Sequence, residues 1–256
     1  MPHPSAPIRL LLVQPDIVWE DRAANRQLYS RMIEGKAKEG SLIIFPEMCE
    51  VGFSMNAAAC ADVDGSGRTF FSEMARRTHS HIIAGLVTND SSPPANTAVV
   101  FDPAGAVIAR YDKRRPFTPA GEHKNYSAGH KAVVVEICGV KVGLSICYDL
   151  RFPELYRDQI DLGAEVLVVI ANWPSPRVGQ KIVLLRARAI ENQAFVVLVN
   201  RSGTDPTLTY PGRSMVIDPK GEILFDAGES ECVLDAEIDV GVAREWREAF
   251  PALRDR

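Results

Sequence analysis

Apolar positions along the chain follow two different periods. Ile8 to Val13 and Leu42 to Phe45 are short, nearly unbroken apolar runs, and they predict buried strands. His81 to Val87, Val166 to Ile170 and Ala194 to Val199 are runs of the same kind. Between them lie stretches with helical spacing. Asp21 to Lys38 places Ala24, Leu28, Met32 and Ile33 on one face. Arg68 to His79, Phe152 to Asp161, Gly179 to Gln193 and Val240 to Glu248 also predict helices, with Pro153 tolerated in a first turn. Short apolar strands alternating with helices argue for a layered α/β fold.

The middle of the chain is richer in strands. Asn96 to Phe101 leads through Asp102-Pro103-Ala104-Gly105 into Ala106 to Tyr111, a strand, turn and strand. Arg213 to Ile217, Asp218-Pro219-Lys220-Gly221 and Glu222 to Phe225 repeat that arrangement. Two such hairpins suggest two similar halves of a sandwich. Val133 to Ile137 and Lys141 to Ile146 form a further strand pair about Gly139, and Cys232 to Ile238 is a late strand. Asp205 to Gly212 is turn-rich and reads as a surface loop. No linker or charge block divides the chain, so residues 1–256 are expected to form one domain.

Composition narrows the classes of function. The chain is 46% hydrophobic with a net charge of −4 and a pI near 5.8. That balance gives no basic face for nucleic acid, and the cluster Asp112-Lys113-Arg114-Arg115 is too short to change it. No apolar run approaches the roughly 20 residues of a membrane span. Met1 to Pro7 lacks the charged and apolar regions of a signal peptide. The five cysteines are odd in number and contain no Cys-x-x-Cys pair, so neither a disulfide framework nor a zinc site is expected. His79 and His81 offer no metal spacing and are expected at the surface. A cytoplasmic location is the resulting expectation.

Three residues stand out for chemistry. Cys147 follows the strand Lys141 to Ile146 and precedes a polar run into a helix. A thiol at such an elbow sits above a sheet edge, beside helix N-terminal amides that stabilise a thiolate or an oxyanion. The alternative is a small buried hydrophobe. Glu47 ends the apolar strand Leu42 to Phe45, at the kind of sheet edge where ligands collect in open α/β folds, and could serve as a base or merely be solvated. Lys113 ends the strand Ala106 to Tyr111, as an oxyanion donor or as an ordinary exposed lysine.

Taken together, Pro46-Glu47, Tyr111-Asp112-Lys113-Arg114 and Cys147-Tyr148-Asp149-Leu150-Arg151-Phe152-Pro153-Glu154 resemble, in order, the three catalytic signatures of the nitrilase superfamily of carbon–nitrogen hydrolases. The resemblance extends to Gln14-Pro15, Asn96-Thr97, both hairpins, Ala171-Asn172-Trp173-Pro174 and Arg186 to Asn192. It implies a four-layer αββα sandwich, commonly paired as a homodimer. It implies Cys147 as nucleophile, Glu47 as general base, and Lys113 with the Tyr148 backbone N–H as oxyanion hole, with no metal or organic cofactor. Glu122, in Ala120-Gly121-Glu122-His123, matches the second glutamate that positions the lysine. The short span from Lys113 to Glu122 is similar to the bacterial ω-amidase branch, which hydrolyses 2-oxoglutaramate and related ω-amides. Tyr148, where true nitrilases carry Trp, favours amide over nitrile. That branch implies a small carboxylate-bearing amide as partner, with Arg151 as its cation or else in a structural ion pair. Phe117 and Trp173 would be apolar walls or core. Amidases of deaminated-glutathione or N-carbamoyl type are the alternative, with a non-catalytic binding subunit behind them.

Overall fold

The computed structural model describes residues 7–255, so all of Met1–Pro7 except Pro7 lies outside the described residues. The first half contains β1 (Ile8–Gln14), α1 (Arg22–Ile33), β2 (Leu42–Ile44), α2 (Ala57–Cys60), α3 (Ser66–Thr78), β3 (His81–Thr88), β4 (Ala95–Phe101) and β5 (Val107–Asp112). After the short α4 (Glu122–Asn125) come β6 (Val134–Ile137), β7 (Val140–Ile146), α5 (Pro153–Asp161), β8 (Val166–Ala171), α6 (Val178–Asn192) and β9 (Phe195–Asn200). The chain continues through β10 (Ser202–Thr204), β11 (Thr209–Pro211), β12 (Met215–Ile217), β13 (Ile223–Asp226), β14 (Cys232–Ile238) and α7 (Gly241–Ala249).

Two six-stranded sheets result, ordered β14-β1-β2-β3-β4-β5 and β6-β7-β8-β9-β12-β13. In each, three parallel strands form the centre. An antiparallel strand flanks them on one side and an antiparallel hairpin on the other. The two Asp-Pro-x-Gly turns close the corresponding hairpins of the two sheets, as two similar halves require.

Side-chain alternation explains the layers. Leu10, Leu12, Leu42 and Ile44 face inward and meet Val166, Val168, Ile170 and Val197 of the other sheet. Their neighbours Leu11, Val13 and Ile43 face outward onto Tyr29 and Met32 of α1 and Phe71 and Met74 of α3. Leu167, Val169 and Leu198 likewise face Leu155 and Tyr156 of α5 and Leu185 of α6. Both faces of the central strands are thus covered, which is why they read as continuous apolar runs. The order helix, sheet, sheet, helix is the αββα sandwich. Each such side chain, fully buried, contributes roughly 1.5–3 kcal/mol.

Two local expectations differ. The helix expected from Asp21 to Lys38 is shorter: Asp21 caps it by accepting from the Ala24 N–H, but it stops at Ile33, and Gly35 takes φ +68°. The segment Asp205 to Gly212 is no plain surface loop. Its second part, Thr209–Pro211, pairs antiparallel with Ser202–Thr204.

Candidate active site

Glu47, Lys113 and Glu122 arrive from three separate segments and are all buried. The chain leaves β2 through Phe45, whose N–H donates to Ile83 O at 2.8 Å, and Pro46 then turns it so that Glu47 lies at the sheet end. Gly85 of β3 makes that approach possible: a Cβ there would stand 2.4 Å from Pro46 O and 2.6 Å from Glu47 Cα. Lys113 follows β5 and is held by its own backbone, its N–H donating to Asn96 O and its carbonyl accepting from the Gly129 N–H, both at 2.9 Å. Glu122 opens α4.

These side chains form a closed ring. Lys113 Nζ donates to Glu47 Oε1 at 2.7 Å and to both oxygens of Glu122 at 3.0 and 2.9 Å. Asn96 Nδ2 donates to the same Glu47 Oε1 at 2.7 Å and to Glu122 Oε1 at 2.9 Å. Two carboxylates therefore share one cation and one neutral donor. Burial disfavours the Lys113 ammonium, but Glu122 and then Glu47 outweigh it and hold its pKa above the ordinary lysine value. An ammonium has three N–H bonds, so with one directed to Glu47 and one shared between the two Glu122 oxygens a third remains.

The other Glu47 oxygen, Oε2, accepts from the Asn172 N–H at 2.8 Å, and Asn172 Nδ2 donates to Glu47 O at 2.7 Å. Asn172 follows β8, so this pair joins the two sheets.

Cys147 sits at the end of β7 with φ +49°, a conformation costly for a residue with a Cβ. It does not lead straight into α5 as the sequence suggests. A single 3₁₀ turn, Cys147–Arg151, intervenes. Tyr148 falls in its first turn, where backbone N–H groups have no partner within the helix. Buried Asp149 anchors the elbow, accepting from the Ile146 N–H at 3.0 Å, Tyr111 OH at 2.7 Å and the Arg115 N–H at 2.9 Å. Burial pushes the Cys147 thiol well above its ordinary pKa; Glu47 adds to this, Lys113 opposes it, and Glu122 adds again. The resting sulfur is therefore a thiol and needs a proton acceptor to become a nucleophile.

Cys147 opens into a cavity of about 320 Å³. Phe117, Tyr148, Arg151 and Trp173, expected at the substrate, line it too. Phe117 meets Tyr148 edge-on, with centroids 4.9 Å apart. Phe53, another wall residue, has its ring centroid 5.0 Å from Lys113 Nζ, so the buried ammonium lies behind that part of the wall. Trp173 is both core and wall, being 2% exposed yet part of the lining. Arg151 makes no ion pair with Asp or Glu among the described residues. It bonds Gln180 Oε1 at 2.7 Å and lies over Trp173, 5.1 Å from the ring centroid.

Sequence reasoning gave no role to Asn96, Asn172, Asp149 or Arg177. A polar residue within or directly after an apolar strand, as Asn96 and Asn172 are, is the signal that also singled out Glu47. Among the described residues no group of three or more His, Cys, Asp or Glu side chains is placed to hold a metal ion.

An αββα sandwich that gathers a lysine and two glutamates, all buried, near a thiol opening on a cavity defines a class of hydrolases. The carbon–nitrogen hydrolase family profile matches residues 9–248. The ω-amidase YafV of Escherichia coli K12 is 37% identical over 250 residues, covering 97% of this chain and 96% of that protein. The 2-oxoglutaramate amidase of Bacillus subtilis is 37% identical over 246 residues, covering 95% of each. The crystal structure of XC1258 from Xanthomonas campestris, a CN-hydrolase superfamily protein, superposes with a TM-score of 0.94 at 36% identity, over 98% of this chain and 97% of that one. Nit3 of Saccharomyces cerevisiae, a nitrilase-superfamily member, gives 0.84 at 26% identity, over 97% and 96%. This chain belongs to the carbon–nitrogen hydrolase family and is a hydrolase of carbon–nitrogen bonds.

Proposed function

We propose that the chain is an ω-amidase, hydrolysing the terminal amide of a small dicarboxylate such as 2-oxoglutaramate or succinamate to acid and ammonia. The observation that carries this is the Lys113 ammonium bridging Glu47 and Glu122 near enough for all three charges to act on Cys147, the thiol that opens into the cavity. Relatives named ω-amidase and 2-oxoglutaramate amidase support the substrate class.

In this reading Cys147 Sγ attacks the amide carbon as its proton passes to Glu47. The remaining N–H of Lys113 Nζ and the Tyr148 backbone N–H hold the oxyanion. Collapse breaks the C–N bond, Glu47 gives the proton to the leaving nitrogen, and ammonia departs from a thioester. Water then yields a proton to Glu47 and attacks the thioester. The C–S bond breaks, the sulfur recovers its proton and the acid leaves. Glu122 and Asn96 position Lys113 and Glu47. Phe117 and Trp173 wall the substrate, and Arg151 faces its carboxylate.

Ammonia release from 2-oxoglutaramate, succinamate and an N-carbamoyl compound tests the reading. The ω-amides are expected to be cleaved fastest, and Cys147→Ala to lower release at least about 10⁴-fold with an unchanged melting temperature. Faster cleavage of the N-carbamoyl compound would overturn the substrate, and an active Cys147→Ala protein the nucleophile.

We propose further that residues 1–256 form one domain acting as a cytoplasmic homodimer without nucleic-acid partners. Five free thiols suit a reducing compartment. Exposed Val183 and Ile190, one heptad apart on α6 in the outer helical layer, suit a subunit contact. Among the described residues no helix is long and apolar enough to cross a membrane.

A further inference from the structure

The cavity holds a second arginine. Arg177 ends the 3₁₀ turn Ser175–Arg177 and lines the same wall as Arg151 and Cys147. Its backbone is fixed, since the Trp173 indole N–H donates to Arg177 O at 2.9 Å. Its guanidinium lies on the Phe117 ring, 5.3 Å from the centroid. It makes no ion pair among the described residues. The one carboxylate in the lining, Asp205, is already consumed by its own hairpin. It accepts from the Thr207 N–H, the Leu208 N–H and the Thr207 hydroxyl through Oδ1, and from Tyr210 OH through Oδ2. Nothing in the cavity neutralises Arg177. Arg151, by contrast, already has Gln180 as a polar partner.

The two guanidiniums are held by one aromatic chain. Arg177 lies on Phe117, Phe117 meets Tyr148, and Arg151 lies over both Tyr148 and Trp173. These ring contacts hold both guanidiniums at the wall, and Arg177, whose guanidinium donates to no side chain or carbonyl among the described residues, keeps its N–H groups available to a carboxylate.

We infer that Arg177 is a specificity-determining residue that binds the carboxylate of the substrate, with Arg151 as its companion. An apolar cavity with two guanidiniums, whose one lining carboxylate is already hydrogen-bonded within its own hairpin, selects an amide that carries a carboxylate. This inference rests on the ω-amide reading above.

The test compares wild type with Arg177→Ala, Arg177→Gln and Arg177→Lys. Glutarate is titrated calorimetrically, and ammonia release is followed from glutaramate and from butyramide, which has the same chain without the carboxylate. Arg177→Ala and Arg177→Gln are expected to weaken glutarate about 10- to 100-fold and to raise KM for glutaramate similarly. Butyramide turnover should change less than about 3-fold, and Arg177→Lys should recover part of the loss. Equal glutarate affinity in wild type and Arg177→Ala, no detectable glutarate binding by wild type, or equal losses on both amides would overturn the role of Arg177. A wild type that cleaves neither amide would sink the ω-amidase reading instead, and the glutarate titration would then decide on Arg177 alone.

Discussion

The two halves of the sandwich share one topology and use it differently. In each, the first central parallel strand ends against the segment that follows the hairpin of the other sheet. At the end of β1 that meeting is closed. Gln14 Nε2 donates to Gly228 O at 2.9 Å and Ser230 O at 2.7 Å, beyond β13, and Gln14 Oε1 accepts from the Ser214 N–H at 2.8 Å. At the end of β7 the corresponding place holds Cys147, which feels the charge of Lys113, beyond β5. That place opens to the cavity. Repeating a scaffold repeats a location, not a function. Chemistry appears where the location is left open and ionisable groups converge on it.

Substitutions at the two places should separate along that line. After Cys147→Ala, the largest effect is expected at Lys113. Lys113→Ala removes the proposed oxyanion donor and should lower kcat about 10²–10³-fold. It also leaves Glu47 and Glu122 buried without their shared cation, which should cost about 3–5 kcal/mol in denaturant unfolding. A variant with normal turnover would strip the open place of its chemistry. Gln14→Ala is the counterpart. It leaves Ser230 O and the Ser214 N–H without their Gln14 partner, while Gly228 O keeps the Arg213 N–H, and should cost about 1–3 kcal/mol of stability. Activity below the melting transition should stay within about 3-fold of wild type. A loss of turnover without a loss of stability would erase the contrast.

The smallest effect concerns the elbow itself. Burial raises Asp149 from its ordinary value to about 6, against the bonds from Ile146, Tyr111 and Arg115. The folded state therefore holds this proton more tightly than the unfolded chain. The resulting stabilisation is complete below about pH 4 and is lost as pH rises through about 6. Asp149→Asn has no such proton. Its melting temperature relative to wild type should improve between pH 4 and 7, by the equivalent of about 1–3 kcal/mol. A pH-independent difference would mean that Asp149 ionises as freely in the fold as outside it.

Much of this was legible in the sequence, for identifiable reasons. Central strands such as Leu42–Ile44 and Val166–Ala171 declare themselves because both faces are apolar. Glu47 and Cys147 stand out because polar residues end those runs. The placement of Glu122, Phe117 and Trp173 came through resemblance. The ring donor Asn96 and the sheet-joining Asn172 were not assigned roles, since their partners lie 49 and 125 residues away. Nothing local marks Arg177, an arginine like many others until the wall around it forms. The hairpin β10–β11 hid among turn residues because its strands are only three residues each.

The order of strands has a consequence for synthesis on the ribosome. β6 finds its partner β7 across a tight turn, so the second sheet acquires its flank at once. β1 is among the first strands made, yet its flanking partner β14 is nearly the last, joined to it by pairing from Ile8↔Ile238 to Gln14↔Cys232. Until Cys232–Ile238 emerges, the nascent first sheet presents a long unpaired apolar edge, open to wrong partners and to chaperones. A nonsense codon just before Cys232 would spare every residue of the proposed machinery and still leave that edge exposed.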